Sequence, residues 1–231
     1  MSAAKGQGRG RAVPAVALGC RAFRGGCVVV AVRADAAAPV ARPPAVLLST
    51  ILRTAAEGDR IAFEPYHVAV AMPRGDEGQP TEAMRAAVAE GRARQRVAAI
   101  AGLEGILHAL AGEHARPAVA ALLVNRAGWM TDLLAYSLEF ADHPPVAEGL
   151  AVRDAMREAF AAVGLACTEA DEKSLPARAA AILGVTEAAL WPQLKALARV
   201  DGKAESQVWK PWRKEQQLAA LAAWVALVEA R

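Results

Sequence analysis

The densest group of residues able to do acid–base or metal chemistry is Glu139, Asp142, His143 and Glu148. A metal-assisted hydrolase uses such a set, because carboxylates and an imidazole hold a divalent ion and move a proton. The same residues suit a solvated loop leading into a helix, with Glu148 favoured at the positive end of the helix dipole. Glu169, Asp171 and Glu172 form a second acidic group just after a short apolar segment, the place where α/β proteins commonly bind ligands. Three acids ahead of Pro176 equally suit a loop that starts the next helix. His67, beside Tyr66, is either a general base or a hydrogen-bonded structural histidine in a strand.

Two basic regions point to different chemistry. Trp209-Lys210-Pro211-Trp212-Arg213-Lys214 interleaves aromatic and cationic side chains, a pattern that stacks on bases while neutralising phosphates. Its plainer reading has both indoles packing the last helix and the cations facing water. Residues 1–33 carry Lys5, Arg9, Arg11, Arg21, Arg24 and Arg33 without one acid, so arm and following hairpin together offer a positive surface or a solvated tail. Gly19 and Gly25-Gly26 do not make a phosphate-binding loop, since no helix follows them.

The elements that must position these residues belong to a chain of 231 residues and 24.1 kDa with net charge +3, long enough for a full core and too mildly basic to require a polyanionic partner. About a quarter of the residues are Ala, which favours helices. Cys20, Cys27 and Cys167 lack metal-ligand spacing and do not pair into a disulfide framework. A basic start followed by the apolar residues 12–18 has the layout of an export signal, and acid-free Arg-rich starts also occur in organelle transit peptides. The stretch is short, holds Pro14 and runs into Arg21 and Arg24, so a cytoplasmic protein without a membrane span is expected.

Residues 1–11 read as a basic flexible arm and residues 12–231 as a single α/β domain. The β-rich runs 13–18 and 27–32 flank a hairpin connection at 21–26, and a third strand spans 45–48. Residues 61–72 alternate loosely around Pro65 and read as an edge strand. From Thr81, a plausible N-cap, Met84, Val88, Val97, Ile100, Leu103 and Leu107 suit one long helix, and its glycines imply a closely packed neighbour. Residues 118–124 form a near-continuous apolar run, expected as an internal strand. A helix over 146–163, a short strand over 165–168 and helices over 176–183, 187–197 and 213–228 follow. Leu218, Leu221, Val225 and Val228 mark one buried stripe on the last of these.

This order, with a mixed sheet and flanking helices, resembles the ribonuclease-H-like fold. Residues 17–30, Ala-Leu-Gly-Cys-Arg-Ala-Phe-Arg-Gly-Gly-Cys-Val-Val-Val, are similar to the opening hairpin of bacterial Holliday-junction resolvases, and Leu-Ala-Ala-Leu-Ala-Ala-Trp at 218–224 is similar to their last helix. The resemblance implies paired divalent metals held by carboxylates of the first strand, a central strand and the last helix, where they stabilise attacking and leaving oxygens. The chain departs from that pattern. The first-strand acid position falls on Arg21; the last helix offers Gln216, Gln217 and Ala219, with Glu215 its nearby carboxylate; and residues 118–124 end at Asn125-Arg126. A second register, with residues 60–64 as the central strand, restores only Glu64.

Two readings follow. In the first, a ribonuclease-H-like protein without a standard two-metal site and without a cofactor binds DNA or RNA, or serves as a scaffold for a protein partner, with a homodimer among its possible assemblies. Arg21, Arg24, Trp209, Lys210, Trp212, Arg213 and Lys214 are its candidate contacts. In the second, a metal-dependent nuclease or related hydrolase uses Mg or Mn held by carboxylates recruited from other elements, with Glu64, Glu139, Glu169 and Asp171 as candidates.

Overall fold

The computed structural model describes residues 15–35, 38–125, 130–140, 144–199 and 210–231. Strands β1 (Ala15–Phe23), β2 (Gly26–Ala34) and β3 (Ala45–Arg53) are followed by two short helices, α1 (Arg60–Phe63) and α2 (Pro65–Val70). The long α3 (Glu82–Gly112), β4 (Pro117–Val124), α4 (Leu133–Glu139), α5 (Pro144–Ala162) and β5 (Cys167–Asp171) come next, and α6 (Leu175–Leu183), α7 (Glu187–Ala196) and α8 (Lys214–Glu229) close the chain. The sheet order is β3-β2-β1-β4-β5. The first three strands are antiparallel neighbours, whereas β4 lies parallel to β1 and to β5. This is the mixed sheet with flanking helices that the sequence order implies, with β4 internal as its two-sided apolar run requires.

Period-two alternation sends successive residues of β1 to opposite faces. Val16, Leu18 and Cys20 join a core with α3 and α5, while Ala17 joins the core built by α6, α7 and α8. Gly19 belongs to the α8 face, where an added Cβ would lie 1.7 Å from the Ala219 carbonyl oxygen. Glycine on the strand and alanine on the helix thus let the two backbones touch. The single stripe expected on α8 is too narrow, since every residue from Gln216 to Leu227 is buried. The sheet covers one side, α6 and α7 another, and the Trp224 Nε1–H donates to the Val40 carbonyl at 3.2 Å on a third.

Three local expectations need correction. Residues 61–72 are not an edge strand: Asp59 Oδ1 accepts from the Ala62 N–H at 3.1 Å to start α1, and Pro65 takes the first position of α2, where its missing N–H and fixed φ favour a helix. This also removes the register in which 60–64 is the central strand. The last strand starts two residues later than expected and includes Glu169 and Asp171, charged residues that an edge strand tolerates. The first and third strands run on to Phe23 and Arg53, leaving a tight turn at Arg24-Gly25 with Gly25 at φ +79°.

The long helix forms as expected, with the Thr81 hydroxyl accepting from the Met84 N–H, but Val97 of its expected apolar stripe is exposed. Its glycines divide: a Cβ at Gly91 would meet the Ile61 carbonyl at 2.4 Å and one at Gly102 the Leu52 side chain at 2.8 Å, whereas Gly105 faces open space. Among the described residues no helix is long and apolar enough to cross a membrane.

Candidate nucleic-acid interface and the carboxylate positions

Arg21 sits near the carboxyl end of β1 on the face that α8 covers, opposite Leu123 of β4. The N–H of Glu172 donates to the Val124 carbonyl at 2.8 Å, which holds the residue after β5 across the end of β4. Its carboxylate receives both Arg21 Nε–H and Nη2–H, each at 3.0 Å. The two side chains remain 29% exposed, a planar two-bond fork at the rim of the sheet. A guanidinium therefore occupies the strand position at which the resemblance implies a metal-binding acid.

Further cations gather at this end. Arg24 lies over the Phe63 ring, 5.2 Å from its centroid, with Nη1 3.6 Å from Glu64 Oε2. Helix α8 runs antiparallel to β1: Gly19 meets Ala219 and Ala223, and Arg231, just beyond the helix, donates to the carbonyls of Asp35 and Ala38 beside the start of β1. The α8 N-terminus, with exposed Lys210, Arg213 and Lys214, therefore points toward the Arg21–Phe23 end, and the helix dipole adds positive potential there. Arg33 pairs with Val16 at the opposite end of the hairpin, so the basic residues of the N-terminal segment do not form one surface. Trp212 is half-buried, packs against the α6–α8 core, and donates its Nε1–H to the Leu194 carbonyl at 2.9 Å. Trp209, Lys5, Arg9 and Arg11 lie outside the described residues.

The candidate catalytic carboxylates are dispersed. Glu64 joins α1 to α2 and receives Arg60 Nε–H at 2.7 Å. Glu139 ends α4 and is exposed. Glu169, on the α5 face of β5, receives Arg157 Nε–H. Asp171 Oδ1 accepts from the N–H and hydroxyl of Ser174, both at 2.9 Å, which sets the turn into α6. Among the described residues no three His, Cys, Asp or Glu side chains converge to hold a metal ion. Asp142 and His143 lie outside the described residues.

Glu148 differs from its expected place at its own helix start. It is fully buried on α5 and accepts the His67 N–H at 2.9 Å, capping α2 rather than α5. Burial pushes its carboxyl up to about 7 against the pull of the His67 and Tyr66 N–H groups, and the nearby Glu64 charge adds to the rise. His67 is on a helix, with its side chain exposed, not in a strand.

A cleft of about 950 Å³ that no sequence motif marks lies on the other face, between α3, α5 and the residues after β4. Arg85, Arg92 and Arg96 of α3 and Arg153 and Arg157 of α5 line it, beside Asp132, Asp154, Glu158 and Glu169. The i,i+4 pairs Arg92/Arg96 and Arg153/Arg157 were visible in the sequence, but nothing there set the two helices facing each other.

No protein-family model matches the chain. No curated protein matches it either. Among solved structures, a Thermus thermophilus RuvC structure is similar with TM-score 0.49 and 13% identity, over 94% of this chain and 95% of that one. T. thermophilus RuvC in complex with a Holliday-junction substrate gives TM-score 0.48 and 12% identity over the same shares. Strand order, strand directions and helices on both faces make this an α/β fold with a mixed five-stranded sheet and flanking helices.

Proposed function

We propose that the protein binds nucleic acid through the carboxyl end of β1 and the N-terminus of α8, without a standard two-metal site. The observation that carries this reading is the Arg21–Glu172 fork. A guanidinium here takes the place of a metal-binding carboxylate, and its two-bond fork can pass from the half-exposed Glu172 to a phosphate, while Arg24, Lys210, Arg213 and Lys214 extend the positive potential on the same side. Phosphate neutralisation by such a group is largely sequence-independent and falls steeply with salt.

The test is fluorescence anisotropy of the full chain on single-stranded, duplex and branched DNA and on RNA, across a salt series with and without magnesium or manganese. Arg21→Ala is expected to weaken binding and reduce the logarithmic salt slope by about 0.7 to 0.9, the loss of one phosphate contact. Glu172→Gln, which frees the guanidinium, is expected to tighten it. Uncut substrate in both metals is the expected companion result. Salt-independent binding, or cleavage abolished by changing Glu64, Glu139, Glu169 or Asp171, overturns the reading; absence of binding to every nucleic acid turns it toward a scaffold for a protein partner.

A further inference from the structure

The cleft between α3 and α5 contains a group that the fold leaves unanswered. Arg153 is 8% exposed, and its Nε–H is buried without a hydrogen-bond partner. Such a donor costs free energy in a folded protein unless something accepts from it. The acids of the cleft are engaged with other arginines: Asp154 receives Arg92 Nη2–H at 2.9 Å and Arg157 Nη1–H at 2.6 Å, Glu169 receives Arg157, and Glu158 is 3.5 Å from Arg96. Asp132 is occupied as the cap of α4, accepting the N–H groups of Leu134 and Ala135. Burial, and after it the charge of Arg157, disfavour the charged form of Arg153, against the attraction of Glu169, Asp154 and Glu172. Several arginines thus converge on one space, one of them lacking an acceptor that the nearby acids do not supply.

We propose that this cleft binds a phosphomonoester carried on an organic body, with Arg153 and Arg157 holding the phosphate and Arg85 at the exposed rim. A dianion that accepts several forked hydrogen bonds matches a set of guanidiniums better than one more carboxylate does. The organic body is inferred from the walls: Val88, Leu134, Leu150 and Tyr66 line the same space, whose volume is that of a small-molecule site. Two sources share this chemistry, a free nucleoside monophosphate and the 5′-phosphate end of a nucleic-acid strand. The site lies on the opposite face of the sheet from Arg21 and stands or falls independently of the interface proposed above.

Isothermal titration of the full chain at constant ionic strength, with adenosine 5′-monophosphate, adenosine, and short strands with and without a 5′-phosphate, tests it. The expected result is binding of at least one phosphorylated probe at least tenfold tighter than that of its unphosphorylated counterpart. A stronger signal from the phosphorylated strand assigns the strand end; a stronger signal from the mononucleotide assigns the free ligand. Arg153→Met is expected to lose that tenfold preference while its melting temperature without ligand stays level or rises, since a buried donor without an acceptor has gone. Arg85→Ala, at an exposed position, keeps the test open if Arg153→Met does not fold, and is expected to weaken phosphate-dependent binding about threefold. Equal binding of phosphorylated and unphosphorylated probes overturns the proposal, as does an unaltered preference in Arg153→Met or, where that variant does not fold, in Arg85→Ala.

Discussion

The two faces of the sheet are closed by different means. On the α8 face, Gly19 and the alanines opposite it bring strand and helix backbones into contact, and the helix is buried from Gln216 to Leu227. On the other face, Leu103, Met156 and Phe160 fill the centre, but beyond β4 the facing side chains of α3 and α5 are arginines and acids that leave a cleft. Small residues permit an approach that excludes everything else. Long charged ones need water, each other or a ligand, so open charged surface is left at the cleft and at the sheet end rather than under α8.

The largest effect should come from breaking the close contact. Gly19→Val places atoms where the Ala219 carbonyl already lies and is expected to cost about 3 kcal/mol or more, read by urea denaturation; a change below 1 kcal/mol would show that α8 can move away. Next is the buried carboxyl of the α3/α5 side. Because Glu148 is raised from 4.5 to about 7 in the fold, the native state holds its proton more tightly than the unfolded chain. Its contribution is fully present below pH 4.5 and is lost as pH rises through 7. The parent should therefore lose about 3 kcal/mol relative to Glu148→Gln between pH 4.5 and 8, measured as the difference between paired denaturant curves. A flat difference would mean that the carboxyl is solvated.

Trp212→Ala is expected to cost about 2 to 3 kcal/mol, less than a fully buried indole, through lost packing and the hydrogen bond to Leu194. If the melt is unchanged while nucleic-acid binding falls, the ring stacks on bases instead. The smallest effect is a gain. Gly105→Ala, on the exposed side of α3 with nothing within 4 Å, should stabilise by about 0.5 to 1 kcal/mol through helix propensity. The opposite sign from Gly19→Val would confirm that neighbouring space, not glycine itself, sets the cost.

Much of the fold was legible because it rests on local signals. The two-sided apolar run of β4, the Thr81 cap and the change of hydrophobic period after it needed no partner to be read. The last helix was legible as a helix but not as one buried all round, because alanines reveal small volume and not how many elements use it. Residues 61–72 misled because loose alternation was set against two helix starts, one capped by Asp59 and the other led by Pro65 and capped by Glu148 from a distant helix.

By itself, the sequence determined the succession of strands and helices outside residues 61–72 and 133–139 and placed arginine rather than aspartate at position 21, since periodicity and residue type are local properties. Only the tertiary structure decided that Arg21 meets Glu172, that Glu148 caps α2, and that Arg153 lies buried beside Arg157 in a cleft with α3. These pairings join residues from separate elements, and which side chains meet is set by strand register and helix packing, quantities that no single stretch of sequence contains.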